Sequence, residues 1–196
     1  ARAEGRSLGL RRIVVGGAPV GPGLLDRLRQ AAPRADIVAV YGSTEAEPVA
    51  LIRAEEVIGQ AARTAAGAGL PLGRPQPPLA LRIVDVRGQG LPPGRIGEIQ
   101  VAGPQGATAD GAAWLPMGDV GYRDPAGGLW LLGRSHEGLE RAGATVYPTA
   151  LEAAFDGLPF VDRAALLALP YLEQGEGEDD RLVLALRRRP AIPPPD

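Results

Sequence analysis

Five consecutive residues, Tyr41-Gly42-Ser43-Thr44-Glu45, combine an aromatic ring, a residue without a side chain, two hydroxyls and a carboxylate. They follow the apolar run Ile37–Val40, which reads as a buried strand. The string therefore stands at a strand's carboxyl end, where α/β sheets bind ligands. There Tyr41 offers a flat ring for stacking a base, and Gly42 lets the backbone approach a ligand. Thr44 offers a hydroxyl to a phosphate, and Glu45 offers a carboxylate to Mg²⁺, which takes oxygen ligands. The plainer reading is a turn whose hydroxyls cap the next segment. Asp119, in Gly118-Asp119, could accept two hydroxyls of a ribose or simply serve a turn. Arg134, after Gly133 at the end of LWLL, could set its guanidinium on a ribose or phosphate, or be a solvated rim charge.

These residues need elements to hold them. Arg12–Val15 reads as a short strand, Gly16-Gly17-Ala18-Pro19 as its turn, and Pro22 as the opening of a helix with Leu24, Leu25 and Leu28 at helical spacing. A strand, a turn, a helix and the strand Ile37–Val40 predict a parallel sheet with crossover helices. Arg53–Arg63 reads as another helix, ending in the stretch GAGLPLGRP. From Leu79 the pattern changes to period two: ALRIVDV and IGEIQVA are strands joined by RGQGLPPGR, and LWLL follows the turn DPAGG. Residues 79–133 thus predict a small antiparallel sheet or barrel. Gly103–Ala113 reads as an exposed loop. After Gly133, Thr149–Phe155 is a helix candidate and Phe160–Leu169 a strand with an early helical portion. Arg181–Leu186 is a strand, Gln174–Asp180 an acidic hairpin loop, and RRRPAIPPPD a frayed tail.

Composition narrows the chemistry. At 196 residues, 45% hydrophobic and 22% charged, the chain can bury a core. A net charge of −2 gives no electrostatic footprint for nucleic acid, and no apolar run is long enough for a membrane span. Cys is absent, which excludes disulfides, thiolate zinc sites and Cys nucleophiles and suits a reducing, cytoplasmic setting. All 21 basic side chains are Arg. Without Lys there is no Schiff base and no Walker A loop. One His rules out a multi-His metal site. The first residue is Ala1 and the single Met is Met117, so the chain reads as processed or as a piece of something longer.

Taken in order, GGAP, YGSTE, GRP, GEIQVAG, MGD and LLGR resemble the adenylate-forming acyl/aryl-CoA synthetase superfamily, over roughly residues 12–170. The resemblance implies ATP/AMP and Mg²⁺ as cofactors. It assigns Tyr41, Gly42, Ser43, Thr44 and Glu45 to the loop that holds AMP and Mg²⁺, with Thr44 and Glu45 as the catalytic pair and Glu45 as the metal ligand. It assigns Asp119 to the ribose, Arg134 to the nucleotide near a hinge, and Gly17, Ala18 and Pro19 to the lining of the adenine and acyl pocket. YGSTEAEPVALI, GAGLPLGRP and GRSHE with TVYPTALEAAF resemble more narrowly the olefin-biosynthesis branch, which closes β-hydroxy acids to β-lactones.

The implied fold is α/β. Residues 1–75 are expected to be a parallel-sheet portion of the large adenylate-forming domain and 76–134 a small antiparallel β-barrel. Residues 135–196 would start a truncated small α+β domain that turns about Arg134–His136. The implied activity is ATP-dependent activation of a fatty or β-hydroxy carboxylic acid as acyl-AMP, with CoA, a carrier protein or an internal hydroxyl as acceptor. Three departures stand against turnover by this chain alone. The family's Gly/Ser/Thr-rich phosphate loop does not precede GGAP, its late catalytic Lys has no counterpart, and the expected small domain is cut short soon after it begins. A catalytically incompetent nucleotide- or partner-binding fragment is therefore the alternative. A dinucleotide-binding fold is the rival at fold level, suggested by RIVVGGAPVG with Asp36 further on, but the G-x-G-x-x-G spacing is missing. His136 reads as a hinge or surface residue, and the Arg187–Arg189 run as a solvated strand end.

Overall fold

Short apolar segments punctuated by Gly and Pro build a sheet in which one turn of a single strand changes its direction. The computed structural model describes residues 9–103, 114–158, 160–169 and 181–189. The expected acidic loop at 174–180 lies outside the described residues, as do most of the loop expected at 103–113 and of the expected tail. In chain order the elements begin with β1 (Arg12–Val15), α1 (Pro22–Ala31), β2 (Asp36–Ser43) and β3 (Ala46–Arg53). Next come α2 (Ala54–Gly59), α3 (Ala61–Arg63), β4 (Leu70–Pro75), β5 (Ala80–Val84) and β6 (Gly97–Ala102). Then follow β7 (Leu115–Arg123), β8 (Leu129–Arg134), β9 (Leu139–Arg141) and β10 (Ala144–Val146). The last are α4 (Pro148–Asp156), β11 (Val161–Leu169) and β12 (Arg181–Arg188).

The first eight strands form one sheet in the order β1-β2-β3-β4-β8-β7-β6-β5. The predicted crossover is present: β1 pairs in parallel with β2, and α1 connects them. Pro22 starts α1, where its missing N–H costs nothing. Leu25 is fully buried among Ile37, Ile52, Ala54 and Val57, so α1 and α2 cover one face of this part of the sheet.

The parallel pattern ends there. Residues 46–53 and 70–75, for which the sequence pattern predicts no strand, are β3 and β4. β3 folds back on β2 as an antiparallel hairpin, and β4 joins β3 to β8. Pro48, Pro71 and Pro75 and the charges of β3 hide these strands from a propensity argument. They exist because their neighbours supply the pairing, which is how strand preference generally works.

β4 changes partner along its length. Leu70, Pro71 and Gly73 pair with β8, while Arg74 and Pro75 pair with β3. The change falls between Gly73 and Arg74, just after a register break between Pro71 and Gly73. Gly73 has φ +84°, and a Cβ there would stand 2.2 Å from the Leu51 carbonyl oxygen. Such a glycine is how a sheet turns a corner. Beyond it, β8, β7, β6 and β5 run antiparallel, as period-two alternation predicted. The turn DPAGG between β7 and β8 is closed by Asp124, whose Oδ1 accepts from the N–H groups of Ala126 and Gly128. Its Oδ2 accepts from Trp130 Nε1, and Arg63 lies over the Trp130 ring at 4.0 Å.

After β8 the chain makes a short 3-10 turn, Ser135–Glu137, and the β9–β10 hairpin before α4. α4 packs on β8, on the turn at 64–68 and on β11, which forms a separate two-stranded sheet with β12. It also reaches α1. The first residue of that helix boundary, Gly21, has no side chain to cap with, and Asp156 Oδ2 accepts from the Gly23 N–H at 2.8 Å instead. Among the described residues no helix is long and apolar enough to cross a membrane.

Candidate functional site

The corner at Gly73 has a geometric consequence. Between β2 and β7 in the sheet order lie β3, β4 and β8. In a flat sheet β2 and β7 would stand roughly 19 Å apart, at about 4.8 Å per strand. Yet the Tyr41 hydroxyl, on β2, donates to Asp119 Oδ2, on β7, at 2.8 Å. The sheet therefore curls until its two halves face each other. Arg134 is the direct cross-strand partner of Asp119, and its Nη1 lies 3.2 Å from Asp119 Oδ1. Arg134 Nη1 also reaches the Met117 carbonyl at 3.5 Å, and Ser135 Oγ donates to the Gly118 carbonyl at 3.2 Å.

Asp119 is 5% exposed and Tyr41 9%, whereas Arg134 reaches solvent with half of its side chain. Burial pushes the Asp119 carboxyl above the usual carboxylate range. The hydrogen bond from Tyr41 and the charge of Arg134 oppose that rise, and Glu137 adds to it. The Tyr41 phenol is held far above its ordinary value, first by burial and then by the Asp119 charge and hydrogen bond. It stays a neutral donor throughout the physiological range.

These three residues face a cavity of about 200 Å³. Of the residues singled out from the sequence, Gly17, Ala18, Pro19, Tyr41, Gly42, Asp119 and Arg134 line it. Gly17 takes φ +77° with open space around it, so the turn after β1 needs a glycine for its backbone conformation. Gly42 is required for a different reason than ligand approach. A Cβ there would stand 2.6 Å from the Ala46 carbonyl oxygen, inside the β2–β3 hairpin itself. Ser43, Thr44 and Glu45 are not in the lining. Ser43 ends β2, and Thr44 and Glu45 are exposed in the hairpin turn. The Ser43 hydroxyl and Glu45's own backbone N–H lower the Glu45 carboxyl.

The lining also contains residues that sequence reasoning passed over. Pro71 and Leu72 come from β4, Glu137 from the turn after β8, and Thr149 from the first turn of α4. Pro71 and Leu72 lie in the GAGLPLGRP stretch, but nothing in a Pro/Gly-rich string says that it is a strand facing a cavity. Glu137 sits three residues past Arg134, a spacing that signals nothing without the turn.

A buried carboxylate flanked by a guanidinium and a phenol, beside a ring and apolar walls, suits a polyhydroxylated ligand with a flat base. Mg²⁺ takes one or two carboxylates from a protein and the rest of its shell from phosphates and water. Glu45, a lone ionised carboxylate at a turn, fits that demand. Among the described residues no group of three or more acidic or His side chains could hold a metal without such phosphates.

Comparisons with known proteins identify the family and the fold. The family described as AMP-binding enzyme matches residues 1–109, more than half of the chain. An olefin beta-lactone synthetase of Stenotrophomonas maltophilia is 30% identical, over 94% of this chain and 41% of its own length. A fatty acid–[acyl-carrier-protein] ligase, ScoC of Streptomyces coeruleorubidus, is 30% identical over 93% of this chain and 36% of its own. Among solved structures, the amide bond synthetase McbA from Marinactinospora thermotolerans superposes with a TM-score of 0.75 at 26% identity, over 94% of this chain and 38% of that one. The chain spans about two fifths of the length of the curated relatives it matches.

Proposed function

The chain belongs to the AMP-binding enzyme family, and from that premise we propose that it carries the base- and ribose-facing part of a nucleotide site. The whole enzyme would activate a fatty or β-hydroxy carboxylic acid with ATP. The carboxylate oxygen attacks the α-phosphorus, the bond to the β-phosphate bridging oxygen breaks, and pyrophosphate leaves. The acyl-adenylate then loses AMP to a second nucleophile. That nucleophile is the thiol of CoA or of a carrier protein or, for β-lactone closure, the substrate's own hydroxyl, favoured by proximity.

The observation that carries this reading is the Tyr41–Asp119–Arg134 constellation on one wall of a cavity lined by the turn Gly17-Ala18-Pro19. In it Asp119 accepts ribose hydroxyls, the Tyr41 ring flanks the adenine, and Arg134 balances charge beside the ribose or phosphate. Thr44 donates to a phosphate oxygen, and Glu45 would hold Mg²⁺, which neutralises charge on those oxygens. Residues 135–196 would begin a small domain turning about Arg134–His136, in a cytoplasmic enzyme.

The absence of Lys favours a second reading for this chain by itself: it binds nucleotide and does not turn over. Calorimetry with ATP and Mg²⁺, and pyrophosphate release with fatty, β-hydroxy and aromatic acids, test both. Losing a charged hydrogen bond to a sugar hydroxyl costs about 1.5–3 kcal/mol. Asp119→Ala should therefore weaken ATP by at least about tenfold. Unchanged ATP affinity in that variant overturns the site. Acid-dependent pyrophosphate release by the chain, abolished by Glu45→Ala, overturns the second reading in favour of the first.

A further inference from the structure

Both oxygens of Asp119 have protein partners. Oδ2 accepts from the Tyr41 hydroxyl at 2.8 Å and Oδ1 faces Arg134 Nη1 at 3.2 Å. These donors come from β2 and β8, on the two halves of the curled sheet, so the carboxyl group cannot turn about its own bond without breaking one of them. An ionised carboxylate offers about four acceptor positions. One on each oxygen remains. The Tyr41 side chain is buried, and Asp119 takes its hydroxyl hydrogen. A phenylalanine would present the same flat ring to the cavity without this bond.

We propose that Tyr41 is a positioning residue whose hydroxyl, acting through Asp119, sets the carboxylate so that its two remaining acceptor positions meet two vicinal ribose hydroxyls, one per oxygen. This rests on the nucleotide reading above and adds to it. Selectivity for an intact 2′,3′-diol comes from the hydroxyl of Tyr41, and the ring alone does not supply it. The groups facing Asp119 are Tyr41 from β2, Arg134 from β8 and Glu137 from the turn after β8. Burial and Glu137 raise the Asp119 carboxyl, while Tyr41 and Arg134 lower it. Removing the Tyr41 hydroxyl takes away one of the lowering influences. The carboxylate then forms only at higher pH, and the acid limb of nucleotide binding moves up with it. A hydroxyl that served packing alone would move neither the diol selectivity nor this limb.

The test uses the full chain and Tyr41→Phe, with two readouts. The first, without nucleotide, follows the Asp119 carboxyl carbon by NMR through an acid titration. The second compares ATP with 2′,3′-dideoxy-ATP by calorimetry between pH 5 and 8. The expected result is a higher Asp119 midpoint in Tyr41→Phe, a preference for ATP over the dideoxy compound of roughly 10- to 100-fold in the wild type, and a preference at least about fivefold smaller in the variant. An unmoved Asp119 midpoint overturns the proposal. So does a preference equal in the two proteins while the wild type binds ATP; the nucleotide reading then survives. If the midpoint moves but the wild type takes neither nucleotide, the nucleotide reading falls and the diol proposal with it, leaving only the Tyr41–Asp119 coupling.

Discussion

Gly73→Ala should open the corner on which the cavity depends. Two costs can be separated. Placing a side chain at φ +84° costs about 1–2 kcal/mol in backbone conformation alone. The second cost is steric. The new Cβ would stand 2.2 Å from the Leu51 carbonyl oxygen, 2.9 Å from its carbon and 3.0 Å from Ile52 Cβ. Two of these are backbone atoms of β3 and cannot swing aside as a side-chain end can. The pairs Ala50–Pro75 and Leu51–Arg74, which are the whole of the β3–β4 ladder, must part. Overpacking of this kind adds about 1–3 kcal/mol. Gly88→Ala is the control: Gly88 has φ +75° and nothing within 4 Å of its Cβ, so it carries only the conformational cost. Urea unfolding of the three proteins should place Gly88→Ala about 1–2 kcal/mol below wild type and Gly73→Ala about 2–5 kcal/mol below. The near-ultraviolet signal of Tyr41 should change in Gly73→Ala, because its donor contact to Asp119 spans the corner. Equal destabilisation in the two variants would refute the argument that the sheet turns by close backbone approach at Gly73.

Two further predictions concern other joints. The three atoms nearest to a Cβ at Gly21 are all in the Asp156 side chain, at 2.4, 3.1 and 3.5 Å, whereas the nearest to one at Gly23 is the Asp156 carbonyl oxygen, at 2.5 Å. Asp156→Ala, which loses the cap on α1, should cost about 1 kcal/mol; in a double-mutant unfolding cycle it should relieve Gly21→Ala and leave Gly23→Ala unrelieved, and additivity at Gly21 would sink the idea. Asp124 is pushed up by burial, but its hydrogen bonds from Trp130, Gly128, Arg63 and Ala126 outweigh that and hold it below its usual value. Its stabilisation is therefore present above the unfolded carboxyl value of about 3.9 and lost as pH falls. Asp124→Ala should cost about 1–3 kcal/mol at pH 7 in denaturant titrations, and its deficit should shrink below pH 4; a deficit constant with pH would contradict the linkage.

What the sequence determined by itself was local. RIVV, DIVAV, ALRIV and LWLL are apolar runs bounded by Gly, Pro and Asp, and they are strands because burying them next to tight turns is the cheapest local solution. The crossover β1-α1-β2 follows from such runs flanking a Pro-started helix, and DPAGG closes its turn with its own Asp124. The order of the strings GGAP, YGSTE, MGD and LLGR was enough to indicate the family, because order along a chain is local information repeated several times.

Tertiary structure decided everything that needed two distant segments at once. β3 and β4 form because partners on both sides complete their ladders, and Pro71 and Gly73 look like loop residues until β8 and Leu51 lie beside them. Tyr41 and Asp119 are 78 residues and three intervening strands apart. For each taken alone, the plainer reading is a turn residue. Only the curl at Gly73 brings the phenol within a hydrogen bond of the carboxylate, and the same curl leaves Thr44 and Glu45 in the exposed hairpin turn beyond the cavity lining. Apolar periodicity says which face of a strand is buried. It does not say which strand lies opposite, because that choice is set by the summed pairing and packing of the whole sheet.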